Sequence, residues 1–333
     1  MKRILLPAAL LLLLGAAAAW TAWAQYQRFL QTPLDLPREG YLFILAPGSH
    51  GADIVAELSA MGFTQSGWEW RLLMRLEPQV YRAGEYRLDH GLKPRELLEK
   101  FASGWVVQHR VTLVEGWTFR QVVAALGAQP LLEHRFDPLE PDQWPELLSE
   151  LGVDEPEGWF LPETYLFVLG DSDLDILARA HRAMQEALAL AWASRDDDLP
   201  IETPYELLIL ASIIEKETSL EEERAQIAGV FVRRLRKGMK LQTDPTVIYG
   251  LGESFDGDIR RRDLRTDTPY NTYTRHGLPP TPIAMPGRAS LLAAAHPAPG
   301  EALFFVANGK GGHTFSTTLK EHQTAVDKLL GKD

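Results

Sequence analysis

Cysteine is absent from all 333 residues. Without a thiolate there is no disulfide scaffold, no cysteine nucleophile, no thiolate zinc site and no iron–sulfur cluster. The redox compartment stays open, because a chain long enough for a sizeable core can hold together without bridges. Positive charge is also scarce: 34 Lys and Arg stand against 45 Asp and Glu, a formal charge of −11. Nucleic-acid-binding proteins usually carry a basic surface, so this balance counts against nucleic acid as the main partner. Gly-rich phosphate loops, His-Glu-x-x-His and Gly-x-Ser-x-Gly are missing too. Their absence removes the usual signatures of nucleotide hydrolysis, zinc proteolysis and serine-based acyl transfer. The nine His are scattered without ligand spacing, so neither a metal nor a cofactor is expected.

Charge is missing most sharply near the N-terminus. Met1-Lys2-Arg3 is followed by an uncharged apolar run from Ile4 to Ala24, broken by Pro7, Gly15 and Thr21. Such a run of ~21 residues at ~1.5 Å each reaches roughly 30 Å, enough to cross a hydrocarbon core. Lys2 and Arg3 keep to the cytoplasmic side, so everything from Gln25 onward is expected beyond the cytoplasmic membrane. Two readings compete for this segment. Ala22-Trp23-Ala24 has the small-x-small form of a cleavage site, with Ile4 to Ala19 as the apolar stretch of a secretory peptide. Against cleavage, Trp20 and Trp23 prolong the run and suit a membrane interface. The reading adopted is an uncleaved single-pass anchor over 4–24, with a cytoplasmic tip at 1–3.

Residues 25–39 are polar, carry Pro33 and Pro37, and read as a linker. Tyr41 to Leu45 predicts a strand, Ala52 to Met61 a helix, Trp70 to Leu76 a second helix, and Gly84 to Leu88 another strand. A helix over Pro94 to Phe101 and a strand-like Gln108 to Leu113 follow. The pattern predicts a small α+β module over 40–105 ahead of a larger α+β domain over 106–330. Within the latter, Thr203-Pro204-Tyr205-Glu206 is a capping box opening a helix whose body, Leu207 to Ile214, is almost wholly apolar and therefore buried. Ser219-Leu220-Glu221-Glu222 predicts a second capping box and helix, with Gly238 closing it.

Chemistry is concentrated at the end of the apolar helix, in Glu215-Lys216-Glu217-Thr218. A carboxylate there meets the negative end of the helix dipole and apolar surroundings, and both raise its pKa. A carboxylic acid kept protonated near neutral pH can protonate a leaving oxygen. Residues two apart lie ~200° apart around a helix, so Glu215 and Glu217 are not expected to share one cleft, and spacing does not choose between them. A plainer reading pairs both with Lys216 or Arg224 at the surface. From Leu241 to Phe315 the chain is dense in amides, hydroxyls and aromatics on turn-forming segments. That composition suits a sugar cleft, although Asp244-Pro245 and the Gly-rich pieces are also ordinary turn formers.

Ala211-Ser212-Ile213-Ile214-Glu215-Lys216-Glu217-Thr218 resembles the MltG (YceG-like) endolytic murein transglycosylases. The resemblance continues through Leu241-Gln242-Thr243-Asp244-Pro245-Thr246-Val247-Ile248-Tyr249-Gly250, Tyr270-Asn271-Thr272-Tyr273 and Gly277-Leu278-Pro279-Pro280. Ala294-Ala295-His296-Pro297, Gly309-Lys310-Gly311-Gly312-His313, Leu113-Val114-Glu115-Gly116 and Glu157-Gly158-Trp159-Phe160-Leu161-Pro162-Glu163-Thr164-Tyr165 match as well. Departures fall at Thr281, where the family tends to have glycine, and at Met285, where it tends to have asparagine or another small polar residue.

The resemblance implies a single catalytic glutamate, and the matching residue is Glu217. It implies a LysM-like glycan-binding module over 40–105 and a YceG-like catalytic domain in the periplasm, held on the inner membrane. It also implies cleavage of the MurNAc–GlcNAc β-1,4 bond within nascent peptidoglycan strands, leaving 1,6-anhydro-MurNAc ends, and a link to penicillin-binding cell-wall synthases. Glu163, Gln242, Asp244, Thr246, Tyr249, Asn271 and Tyr273 are the candidates for gripping the sugar. Two alternatives stay open. One is a muramidase using Glu217 with Asp244 or Glu163 and water; the other is a non-catalytic glycan-binding scaffold.

Overall fold

The computed structural model describes residues 2–137 and 140–331, with side chains from residue 9 onward. The expected cytoplasmic tip, 1–3, lies outside the residues whose side chains are described. The chain forms two compact units: residues up to His109 with Val168–Gly170, and Arg110–Phe167 with the residues from Asp171 onward.

The first unit begins with a long helix, α1 (Lys2–Gln31), of which Ala9–Gln31 is long and apolar enough to cross a membrane. It is followed by β1 (Tyr41–Leu45), α2 (Gly51–Ala60), α3 (Trp68–Leu76), β2 (Gly84–Leu88) and α4 (Pro94–Ser103). Strands β1 and β2 pair antiparallel with Phe43 opposite Tyr86. The two-residue period of a strand turns Phe43 and Leu45 into the core and leaves Leu42 and Ile44 exposed. The polar linker expected over 25–39 is not a free stalk. Helix α1 runs through Gln31, and Tyr26, Leu30, Leu34 and Leu36 are buried in one cluster with Phe43, Trp70, Leu97 and Phe101. Tyr26 and Leu30 are four residues apart, one helical face, and this stripe is hidden inside a segment that is polar on average.

The second unit contains β3 (His109–Thr112), which starts at the boundary, then α5 (Phe119–Gly127), α6 (Trp144–Ser149), β4 (Thr164–Phe167), α7 (Asp173–Ser194), α8 (Pro204–Glu217), α9 (Glu221–Arg236), α10 (Asp244–Leu251), α11 (Arg288–Ala295), β5 (Phe304–Ala307), β6 (His313–Ser316) and α12 (Leu319–Leu329). Its sheets are two-stranded, β3 with β4 and β5 with β6. The helix α8 is the centre of this unit. Thr203 caps it by accepting the Glu206 amide, with Pro204 at the first helical position. Every residue from Leu207 to Ile214 is buried, packed against Met184 and Leu188 of α7, Ile227 and Phe231 of α9, and Leu291 and Ala294 of α11. A helix apolar on all sides needs neighbours on all sides, and here it has them.

Two local expectations change. The helix α9 is not opened by a box at Ser219: its N-cap is Leu220, and Ser219 is exposed. The Thr218 hydroxyl takes the Leu220 amide at 3.0 Å instead, so the hydroxyl adjoining α8 displaces the one next along. The turn expected at Asp244-Pro245 is the start of α10, where an acid in the first turn and proline beside it are favourable helix-opening residues. Met285 is fully buried, and its backbone exchanges hydrogen bonds with Gly116 and Trp117. A buried Met therefore stands at one of the two positions where the sequence departs from the resemblance.

Candidate functional site

Glu217 is the last residue of α8, and the next residue, Thr218, is extended. The rigid buried helix thus delivers its final side chain to the edge of the core. There the Thr243 hydroxyl donates a short hydrogen bond to Glu217 Oε1. Thr243 is itself held by a cluster of hydroxyls. Its amide donates to Thr272 Oγ1 at 3.1 Å, Thr246 Oγ1 donates to its carbonyl at 2.8 Å, and the Thr246 and Thr272 hydroxyls lie 2.9 Å apart. Burial pushes the Glu217 carboxyl from an ordinary value of 4.5 up to about 7, and the Asp244 charge adds to the rise. The Thr243 bond and the His313 charge oppose it. The outcome is an acid half protonated near neutral pH, able both to give and to take a proton.

Glu217 borders two cavities. The first, of about 440 Å³, is also lined by Gln242, Thr243, Asp244, Tyr273, Arg234 and Phe304. The second, of about 450 Å³, is walled by Glu115, Glu215, Lys216, Ser219 and Arg224. Both glutamates at the end of α8 therefore edge the second cavity, which the ~200° separation had argued against. Their carboxylates nonetheless go to different partners. Glu215 accepts the Gly287 amide at 2.9 Å and faces Arg224 at 3.4 Å, so it is a tied structural acid. Lys216 pairs with neither and donates to the Gly116 carbonyl at 3.0 Å.

The seven sugar-gripping candidates separate into two groups. Gln242, Asp244 and Tyr273 line the first cavity with Glu217, and the Tyr273 hydroxyl donates to Asp244 Oδ1 at 2.6 Å. Gln242 is the one non-glycine among the described residues with a left-handed backbone, at φ 51°. Strain of this kind gathers at ligand-contacting positions. Thr246 is buried behind Thr243. Asn271 is buried, and its amide bonds the carbonyls of Asp263, Leu264 and Thr266. The Tyr249 hydroxyl donates to Glu157 at 3.2 Å. Glu163 is exposed and paired with Arg288 at 3.0 Å. None of these four lines either cavity.

Residue patterns did not single out Thr243 or Arg234. Thr243 stands within a segment whose distance in sequence from Glu217 hides the contact. Arg234 reads as a helix-end charge, yet its buried guanidinium bonds the carbonyls of Leu303 at 2.6 Å and Leu241 at 2.7 Å and lies 4.9 Å from the Phe304 ring centre. It is the post that joins α9, the 240–242 turn and β5. Among the described residues no three His, Asp or Glu are gathered as metal ligands.

Comparison with known proteins matches residues 43–328 to the YceG-like family. The chain is similar to the endolytic murein transglycosylase of Bacillus subtilis (strain 168), 32% identical across 75% of this chain and 73% of that protein. It is also similar to the endolytic murein transglycosylase of Streptococcus pneumoniae (strain ATCC BAA-255 / R6), 26% identical across 89% of this chain, and spans 60% of that protein's length. Among solved structures, a yceG-like protein of Listeria monocytogenes matches with a TM-score of 0.56 and 29% identity, covering 86% of this chain and 99% of that one.

Proposed function

The chain belongs to the YceG-like family, and on that premise we propose that it is a membrane-anchored endolytic lytic transglycosylase of peptidoglycan. It cleaves the MurNAc–GlcNAc β-1,4 bond within nascent strands and leaves 1,6-anhydro-MurNAc ends, ending strand growth. The observation that carries this reading is Glu217, an acid recessed at the end of a rigid helix, raised to about 7 and opening on a cavity.

The chemistry asks for no more than one such group. Protonated Glu217 gives its proton to the glycosidic oxygen as the bond from that oxygen to the MurNAc C1 breaks. The resulting carboxylate then takes the proton of the same sugar's C6 hydroxyl, whose oxygen closes on C1. One C–O bond breaks, one forms, and the proton is back on Glu217 with no water consumed. Gln242, Asp244 and Tyr273 grip the sugar at the cavity wall, whereas Thr246, Tyr249, Asn271 and Glu163 act only through the partners described above. The small unit, over about 40–105, is a LysM-like glycan-binding module. The apolar helix holds the protein on the inner membrane with the catalytic unit in the periplasm, within reach of penicillin-binding synthases.

A second reading, a muramidase, is favoured by one observation: Asp244 shares the first cavity with Glu217, so a second carboxylate is at hand. Digestion of uncrosslinked strands followed by mass analysis separates the two. Anhydro ends are expected from wild type and none from Glu217→Gln; reducing ends carrying an added water identify the hydrolase, no cutting by wild type leaves only the scaffold, and full cutting by Glu217→Gln overturns Glu217 as the acid.

A further inference from the structure

We propose that Glu223 is a positioning residue for Glu217, acting through His313 and Thr218. The inference rests on Glu217 being the catalytic acid. Glu223 lies in the first turn of α9 with 9% of its surface exposed, and both its oxygens are engaged. Oε1 accepts the His313 backbone N–H at 2.8 Å, and Oε2 faces His313 Nδ1 at 2.7 Å. The Thr218 hydroxyl reaches Oε2 at 3.5 Å. A carboxylate that holds both the backbone and the ring of one histidine fixes the plane of the imidazole as well as its place.

The three attachments converge on the acid. Thr218 directly follows Glu217, so its hydroxyl anchors the exit of α8. His313 opens β6, and its ring stands edge-on to Phe305, a wall of the first cavity, with centroids 5.3 Å apart. One buried carboxylate thereby ties the end of α8, the start of α9 and the β5–β6 hairpin together around Glu217. Gly312 is part of the device: Glu223 Oε1 lies 2.5 Å from where a Cβ at residue 312 would stand, so any side chain there would displace the carboxylate. Burial alone would raise the Glu223 carboxyl, but the His313 bonds outweigh it and leave it below its ordinary value. Glu223 is therefore charged at neutral pH, as the latch requires. His313 charge in turn lowers the Glu217 carboxyl, so displacing the ring raises it. The other charged or titratable groups facing Glu217 are Asp244, Tyr273, Arg234 and His322 in the first cavity and Glu115, Glu215, Lys216 and Arg224 in the second. All of these are left unchanged in the variants below.

The test uses the full chain as wild type, Glu223→Gln, His313→Gln and the double variant. Turnover is measured on uncrosslinked glycan strands, and the Glu217 carboxyl is titrated by ¹³C NMR as the difference from Glu217→Gln. Each single variant is expected to lose at least about tenfold in kcat with KM within about twofold, and to shift the Glu217 titration upward. Because the two residues form one unit, the double variant is expected to be no worse than the poorer single. His313→Gln, at the start of an outer strand, keeps the question open to measurement should Glu223→Gln fold poorly. A Glu217 titration unmoved in the folded variants overturns the inference, as does a lowered melting temperature with kcat unchanged. If wild type yields no cut strands, the transglycosylase reading fails while the titration still decides this one.

Discussion

Thr243, the residue just before α10, donates its hydroxyl hydrogen to Glu217, the last residue of α8. The pairing sets two opposed effects on one carboxyl. Burial favours the protonated form that can donate, and the hydroxyl favours the carboxylate that must receive. Burial is the larger effect and the hydroxyl limits the rise, which leaves the carboxyl near about 7, where one group can act first as acid and then as base.

Replacing the hydroxyl tips that balance. In Thr243→Val the carboxylate loses its donor, so the Glu217 pKa rises above about 7. A hydrogen bond to a charged group contributes about 1.5–3 kcal/mol, so kcat near neutral pH is expected to fall by ~10–100-fold. The alkaline limb of the kcat profile is expected to move to higher pH; a limb that stays in place contradicts the assignment.

Folding stability carries the same signature. Glu157, buried against Phe119 and Tyr249, and Glu217 are both raised from 4.5 to about 7, chiefly by burial. Between these values the folded chain keeps protons that the unfolded chain has released. Stability is therefore expected to fall as pH rises from about 4.5 to about 7, and to level off above. Glu157→Gln removes its part of the slope, at most ~3 kcal/mol. Melting temperatures across that window measure it, and an unchanged slope in Glu157→Gln rules out Glu157 as a source.

Gln242 offers a trade of stability against activity. Its left-handed backbone costs a residue with a Cβ about 1 kcal/mol, which glycine avoids. Gln242→Gly is expected to melt higher while turning over more slowly, since its side chain lines the cavity. Calorimetry and strand digestion on the same preparation test both halves.

The end of α1 is expected to behave as core. Leu30→Ala, at a fully packed position, should destabilise the first unit by about 2–5 kcal/mol. Leu12→Ala, on the exposed part of the same helix, should not. Limited proteolysis of the detergent-solubilised chain distinguishes them by the rate at which fragments from residues 41–103 appear.

Helices with strong local signals were legible from residues alone. Thr203 and Pro204 announce α8, and the unbroken apolar run to Ile214 announces its burial. Less legible were features decided by distant contacts. Ser219 has the form of a cap, but Thr218, whose hydroxyl reaches Glu223, captures the amide first. Thr243 is 26 residues from Glu217, and no periodicity links them. Nor does helix geometry choose Glu217 over Glu215; the choice follows from family resemblance, and the structure gives a physical contrast in that Glu215 is tied to Arg224 and Gly287. Thr246, Tyr249 and Asn271 fall in polar, aromatic segments that read as cleft lining. They are spent on internal hydrogen bonds, which composition does not distinguish from contacts to a ligand.

The unbroken course of α1 has a mechanical consequence. Trp23 and Tyr26 lie on one continuous helix with ring centroids 5.6 Å apart, and Phe29, a turn further on, meets Trp70 edge-on at 5.1 Å. No swivel separates the apolar segment from the small unit. Tilt or rotation of the helix in a bilayer must carry that unit with it, as a mast carries its fitting. Its height above the lipid is set by helical rise, and its facing by helical phase, in place of the wandering reach of a flexible tether.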